Sequence, residues 1–309
     1  MASTDLTRLV GNTPLVELTQ LSPKPGVRIF AKLEGNNPTG SLKDRVALAL
    51  VESAERKGLL QPGDSIIEAS SGNTALALGF VAKQRGYHAR VVLPRGVAPS
   101  IGDLLALYGV DIEWSEARAG LLGAIEKAKR CAEQEGCHLL GQFSNDANVE
   151  VHYRDTGGEI LRDLPRVDVF IAGIGTSGTV MGVGRRLKEA CPGVHIIGVE
   201  PRLGDRLQGL RNLNDGFIPP LLDLDKLDGR FLVDSASAFE CVRHVAEAEG
   251  IFVGVSSGAT LHVARRLAAR MSKGNIVVMF ADGGGKYLPS RPWRAAARRS
   301  RSLDDVHWW

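Results

Sequence analysis

Short, nearly continuous apolar runs recur along the chain. They are Ser65-Ile66-Ile67, Val91-Val92-Leu93, Val110-Asp111-Ile112, Leu139-Leu140, Val169-Phe170-Ile171, Ile196-Ile197 and Ile276-Val277-Val278-Met279-Phe280. Runs this short and this apolar suit strands covered on both faces, because a strand with one wet face alternates instead. Helical patterns separate most of them. A parallel connection needs a crossover, and a helix supplies it, so the pattern predicts an α/β fold of parallel-rich twisted sheets covered by helices. At 309 residues the chain makes one large or two ordinary domains. No internal repeat is evident.

Ligands of such sheets bind beyond the carboxyl ends of strands, so the strand-to-helix loops are where chemistry is sought. Three stand out. In the first, Asn36-Asn37-Pro38-Thr39-Gly40-Ser41-Leu42-Lys43, a turn enters a helix that Ser41 can cap and that continues through Val46, Leu48 and Val51. A lysine in a first helical turn faces the positive end of the macrodipole, which lowers its pKa as a Schiff-base lysine requires. Alone, a lysine after a turn is far more often a solvated charge. The second loop, Glu68-Ala69-Ser70-Ser71-Gly72-Asn73-Thr74, opens an apolar helix. Its hydroxyls, carboxamide and helix-terminal N–H groups suit a carboxylate, although one serine cap would also explain part of it. The third, Gly173-Ile174-Gly175-Thr176-Ser177-Gly178-Thr179, has the composition of a phosphate cradle.

The third loop is also a decoy. Gly173, Gly175 and Gly178 satisfy G-x-G-x-x-G, and Glu200 ends the next apolar strand, so the dinucleotide fingerprint is matched. Two points weigh against it. Thr176, Ser177 and Thr179 suit the several oxygens of a terminal monophosphate, and a dinucleotide leaves Lys43 and the Asn73 loop without a task. A monophosphate, an activated lysine and a carboxylate-binding loop together point to pyridoxal 5′-phosphate and an amino-acid substrate.

With these residues in view, the sequence resembles the cysteine synthases (O-acetylserine sulfhydrylases) of the fold-type II pyridoxal-phosphate enzymes, whose fold is that of the tryptophan synthase β subunit. The similarity runs from Gly11-Asn12-Thr13-Pro14-Leu15 to Lys286-Tyr287-Leu288. It includes Gln142-Phe143 with Asn145, and the segment 249–258 with Asp282 is most like the B isozyme. The resemblance implies that Lys43 carries the cofactor as a Schiff base and later moves the substrate Cα proton. It implies that Asn73 bonds the cofactor 3′-oxygen, that Gly175, Thr176, Ser177, Gly178 and Thr179 hold the phosphate, and that Ser256 meets the pyridine nitrogen. Asp282 stays open as an alternative to Ser256, or as a plain turn residue beside Gly283. Ser70, Ser71, Thr74 and Gln142 would bind the substrate carboxylate. The implied reaction is ping-pong: β-elimination from an O-activated serine to an α-aminoacrylate, then addition of a sulfur nucleophile. A serine dehydratase, a cysteine lyase, a synthase using an amine nucleophile, or a cofactor-binding regulatory paralogue are the competing readings.

The family pattern is not kept everywhere. Ser70 replaces a usual threonine, Ala75 a usual glycine, and Ala98-Pro99-Ser100-Ile101-Gly102-Asp103 lacks the usual basic residues. Arg211 suits phosphate or sulfonate oxygens, so O-phosphoserine as donor and thiosulfate as acceptor are both open, and so is a surface role. The resemblance also implies a homodimer. It implies a smaller mobile domain of residues 37–145 and a larger, cofactor-binding one of 1–36 and 146–309, with the cofactor between them.

Bulk composition narrows the partners. A net charge of +3 is too small to imply nucleic acid. No apolar stretch approaches a membrane span and no signal-peptide core is present, so a cytoplasmic enzyme of small molecules is expected. Cys131, Cys137, Cys191 and Cys241 show no C-x-x-C spacing and read as packing thiols, so no metal is expected. His152 reads as a helix-surface or core residue. The tail gathers Arg291, Arg294, Arg298, Arg299 and Arg301 before Trp308-Trp309, and the two tryptophans are expected to pack rather than stay in water.

Overall fold

A computed structural model describes residues 4–70, 72–95, 97, 99–116, 120–205, 207–288 and the strand 306–307. Ser71, Ala98, the tail arginines, Trp308 and Trp309 lie outside the described residues. In chain order the elements are β1 (Leu15–Glu17), β2 (Val27–Leu33), α1 (Lys43–Arg56), β3 (Ser65–Ala69), α2 (Asn73–Arg85), β4 (His88–Pro94) and α3 (Pro99–Tyr108). Then come β5 (Asp111–Ser115), α4 (Gly120–Glu135), β6 (His138–Leu139), α5 (Ala147–Val151), α6 (Gly157–Asp163), β7 (Val169–Gly173) and α7 (Gly178–Ala190). The last are β8 (His195–Pro201), β9 (Gly229–Val233), α8 (Ser235–Glu249), α9 (Val255–Arg270), β10 (Gly274–Phe280) and β11 (Val306–His307). The chain divides into two compact units, residues 1–11 with 37–148 and residues 12–36 with 149–309.

The first unit holds a four-stranded, wholly parallel sheet in the order β5-β4-β3-β6. Ile67, Ala69 and Val92 of its strands pack on Ala124, Ala128 and Cys131 of α4. Two local devices place the residues that matter. Asp44, in the first turn of α1, accepts from the Thr39 N–H at 2.6 Å and from the Thr39 hydroxyl, which pins the turn to the helix start. Gly72 precedes α2 at φ 146°, a backbone open to glycine and costly for any side chain, and it turns the chain sharply from β3 into the helix.

The second unit holds a seven-stranded sheet in the order β1-β2-β10-β7-β8-β9-β11. The central five strands run parallel, and β1 and β11 close the two edges antiparallel. Ile29, Ile171, Val199, Ile276 and Val278 from the strands share one core with Val242 of α8 and Leu261 and Ala264 of α9. β1, β2, β9 and β11 are absent from the apolar runs read in the sequence. β2 carries Arg28 and Lys32, and β9 alternates buried and half-buried residues, as strands toward a sheet edge do. Lys32 is fully buried because Glu159 and the Thr13 carbonyl receive its ammonium at 2.6 and 2.5 Å.

Candidate active site

Lys43 is the first residue of α1, and its backbone N–H donates to the Ser41 hydroxyl at 3.3 Å. The side chain is only partly accessible, and desolvation pulls its pKa down to about 8, opposed by the charge of Glu68. The lowering read from the helix position is therefore present, with burial as its physical cause. Glu68 itself is 2% exposed, and burial raises it to about 7 against the pull of backbone N–H groups and of Lys43.

Around this pair the structure gathers three of the four residues expected to meet a carboxylate. The Ser70 hydroxyl accepts from the N–H groups of Gly72 and Ala75 at 3.0 and 3.1 Å, so it caps α2 while retaining a proton to donate. Thr74 donates its hydroxyl to Gln142 Oε1 at 2.8 Å. Gln142 Nε2 donates to the Ala69 carbonyl at 2.6 Å, and its second amide hydrogen remains for a ligand. The Gln142 backbone is held as well, its N–H on Glu68 at 2.9 Å and its carbonyl on Asn148 at 2.8 Å. Asn73, half-buried, opens α2 beside them. Ser71 is outside the described residues.

In the second unit the loop after β7 delivers Gly175 to Thr179 into the N-terminus of the 13-residue helix α7. Ser177 sits at φ 71°, strained for a non-glycine residue, and its buried hydroxyl has no hydrogen-bond partner among the described residues. A buried hydroxyl left open at a helix N-terminus is a place for an anion, and the residues present fit a phosphate. The glycines of this loop serve a further purpose. A Cβ on Gly173 would collide with Leu210, and one on Gly175 with the Gly209 carbonyl, so the loop's back is packed against segment 209–211.

His152, read as a helix-surface or core residue, is a core residue that reaches this loop. It is buried in a π-helical turn, His152–Thr156, with Nδ1 3.0 Å from the Thr156 hydroxyl and Nε2 3.1 Å from the Thr179 hydroxyl. Thr156 sits in the same turn, whereas Thr179 belongs to α7, 27 residues away, a contact that no local pattern announced.

The remaining candidates sort by their partners. Glu200, the acid of the dinucleotide fingerprint, receives Arg230 at 2.9 Å and the Leu213 N–H at 2.8 Å, which commits both oxygens to the fold. Arg211 is tied by its N–H to the Ile174 carbonyl at 2.8 Å, beside the phosphate-type loop, with its guanidinium 5.1 Å from the Phe217 ring centre. Ser256 is buried in the first turn of α9. Asp282 lies next to it in the fold, its carbonyl accepting from the Gly254 N–H at 2.9 Å. Its carboxylate takes the Tyr287 hydroxyl at 2.5 Å and lies 3.5 Å from Lys286 Nζ.

This chain belongs to the pyridoxal-phosphate dependent enzymes, whose family model matches residues 6–282. Among its relatives is a cysteine synthase of Staphylococcus aureus, 38% identical over 297 residues that cover 93% of this chain and 96% of the relative. Solved structures agree. A cysteine synthase of Entamoeba histolytica superposes with a TM-score of 0.88 at 30% identity, covering 98% of this chain and 93% of that one. A hydrogen sulfide-producing enzyme of Fusobacterium nucleatum gives 0.88 at 33% identity, covering 93% and 100%. An O-ureido-L-serine synthase gives 0.91 at 34% identity, covering 97% and 98%. The fold is thus that of the fold-type II pyridoxal-phosphate enzymes, as the sequence led one to expect, and the chain is an enzyme of the cysteine synthase type.

Proposed function

We propose that the chain catalyses β-replacement on an O-activated L-serine, O-acetyl-L-serine or O-phospho-L-serine, with sulfide or thiosulfate, giving L-cysteine or S-sulfocysteine. The observation that carries the reading is Lys43, with its pKa near 8, in one unit with the Ser70, Thr74 and Gln142 cluster. Bound pyridoxal 5′-phosphate supplies an electron sink that makes the substrate Cα proton removable and the β-substituent expellable.

The residues then divide the work. Lys43 holds the cofactor through its amine, and a pKa near 8 leaves a useful fraction neutral and nucleophilic at physiological pH. The same amine takes the proton from Cα. Ser70, Ser71, Thr74 and Gln142 bind the substrate carboxylate, and Asn73 meets the cofactor 3′-oxygen. Gly175, Thr176, Ser177, Gly178 and Thr179 hold the phosphate, with the open Ser177 hydroxyl as support. His152 holds Thr179 in place. Ser256 meets the pyridine nitrogen, and Asp282, which takes Tyr287 and Lys286 on one carboxylate oxygen, lines the site. A hydroxyl there keeps the ring a weaker sink than a carboxylate would. Arg211 faces a phosphate or sulfonate on the donor or acceptor.

In this reading residues 37–145 form the smaller mobile domain, and 1–36 with 146–309 the larger cofactor-binding one. The enzyme works in the cytoplasm as a homodimer, which sedimentation velocity would show as a species twice the chain mass. Among the described residues no helix is long and apolar enough to cross a membrane. The likeness to O-ureido-L-serine synthase favours one second reading, an acceptor other than sulfur.

Product analysis by mass spectrometry tests the proposal, with each donor supplied against sulfide and against thiosulfate. L-cysteine or S-sulfocysteine from either donor is the expected result. Pyruvate alone would make the chain an eliminating enzyme and overturn the replacement reading.

A further inference from the structure

Glu68 is a buried carboxylate to which the roles above give no task. It is the penultimate residue of β3, just before the Ser70 loop. Its Oε1 accepts from the Ala69 N–H and its Oε2 from the Gln142 N–H, each at 2.9 Å, and the Gly141 N–H adds a third bond. Two N–H donors on two different oxygens need two acceptors, which a carboxylate has and a glutamine lacks. Yet a charge buried only to hold a loop is an expensive device, because desolvation works against it.

The charge has a partner. Glu68 and Lys43 share one compact unit, and each charge acts on the other. On α1 itself the neighbouring charges are Asp44, taken by Thr39, and the buried Arg45. The 141–142 turn offers N–H groups, and the start of α2 offers Asn73 and Thr74, which are uncharged.

We propose that Glu68 is a positioning residue with two tasks: its carboxylate fixes the Gln142 backbone against β3, and its charge balances Lys43 whenever that side chain is an ammonium. This rests on the reading of Lys43 as the cofactor lysine. Once released from the cofactor, the Lys43 amine would take up the Cα proton and become an ammonium, the state that Glu68 stabilises. Gln142, held by Glu68 through its N–H and by Thr74 through its side chain, keeps its second amide hydrogen aimed at the substrate carboxylate.

The test compares full-length wild type with Glu68→Gln and Glu68→Asp. Each is stripped of cofactor and then given pyridoxal 5′-phosphate between about pH 6 and 10, bracketing the lysine titration. The readouts are the rate at which the Schiff-base absorption returns, and then the O-acetyl-L-serine concentration that half-converts it. Removing a negative charge lowers the pKa of the attacking amine, so the rate–pH midpoint of Glu68→Gln should fall by about one unit. Its half-converting donor concentration should rise about tenfold as Gln142 loosens. Glu68→Asp keeps the charge, so its midpoint should stay near wild type while donor binding weakens.

An unmoved midpoint in Glu68→Gln would overturn the counter-charge, and unweakened donor binding in both variants would overturn the clamp. If Glu68→Gln does not fold, Glu68→Asp carries the test. Its midpoint within a few tenths of wild type with weakened donor binding supports the proposal, and unchanged donor binding overturns it. Failure of the absorption to return in wild type as well would instead overturn the assignment of Lys43, and this proposal with it.

Discussion

Lys43 and Glu68 impose opposite pH dependences on the stability of the cofactor-free chain. Lys43 titrates near 8 in the native state against 10.5 in an unperturbed lysine. Between those values the unfolded chain binds the extra proton, so the Lys43 contribution improves as pH rises from about 8 to 10.5 and is unfavourable and flat below 8. Replacing it by an uncharged side chain of similar length, Lys43→Met, should therefore raise stability at pH 7 in urea denaturation. A gain of ~1–2 kcal/mol allows for the solvent that still reaches the side chain. Glu68 has a native pKa of about 7 against 4.5, so the native state holds the extra proton and stability falls as pH climbs through that window. The wild-type minus Glu68→Gln difference in melting temperature, followed from acid to neutral pH, should show that slope. At the same scale, Thr74→Val removes the bond to Gln142 and should weaken donor binding about tenfold, read by titrating the cofactor absorption. Lys43 and Thr74 were legible in the sequence because a turn and a helix start placed them. The contacts of Glu68 with Gln142 and of His152 with Thr179 were not, since they span 74 and 27 residues.

At the scale of elements, the loop between β7 and α7 is where sequence and structure diverge instructively. Its glycines read as room for a phosphate, yet the backs of Gly173 and Gly175 are filled by the 209–211 segment. Gly175→Ala should therefore lower the melting temperature of the cofactor-free protein, a loss of ~1–3 kcal/mol as for overpacking elsewhere. A glycine needed only for ligand approach would leave that protein unchanged. Ser177→Ala makes the complementary case. Its hydroxyl has no hydrogen-bond partner among the described residues, so the cofactor-free chain should keep its stability. Dialysis should show about tenfold weaker retention of pyridoxal 5′-phosphate, the loss of one hydrogen bond to a charged group. The parallel strands were legible as apolar runs because both their faces are covered. β2 was hidden by Lys32, whose burial depends on Glu159, a residue 127 positions away. β9 was hidden by its half-buried alternate positions.

Across the whole molecule, two parallel-rich sheets divide the chemistry. One unit carries Lys43 with the Ser70, Thr74 and Gln142 cluster, and the other carries the 175–179 loop with Ser256 and Arg211. The second unit depends on the buried Lys32–Glu159 ion pair. Lys32→Met would take the balancing ammonium from the buried Glu159 carboxylate, and should cost ~3–5 kcal/mol in denaturation of the full chain. The division of labour makes one measurement decisive: the visible absorption of the purified enzyme, before and after O-acetyl-L-serine and again after sulfide, with Lys43→Ala in parallel. The account predicts a Schiff-base band that the donor converts and sulfide restores, absent as a lysine-linked band in Lys43→Ala. A wild-type band that neither donor nor sulfide alters, or a Lys43→Ala protein that behaves as wild type, would contradict it.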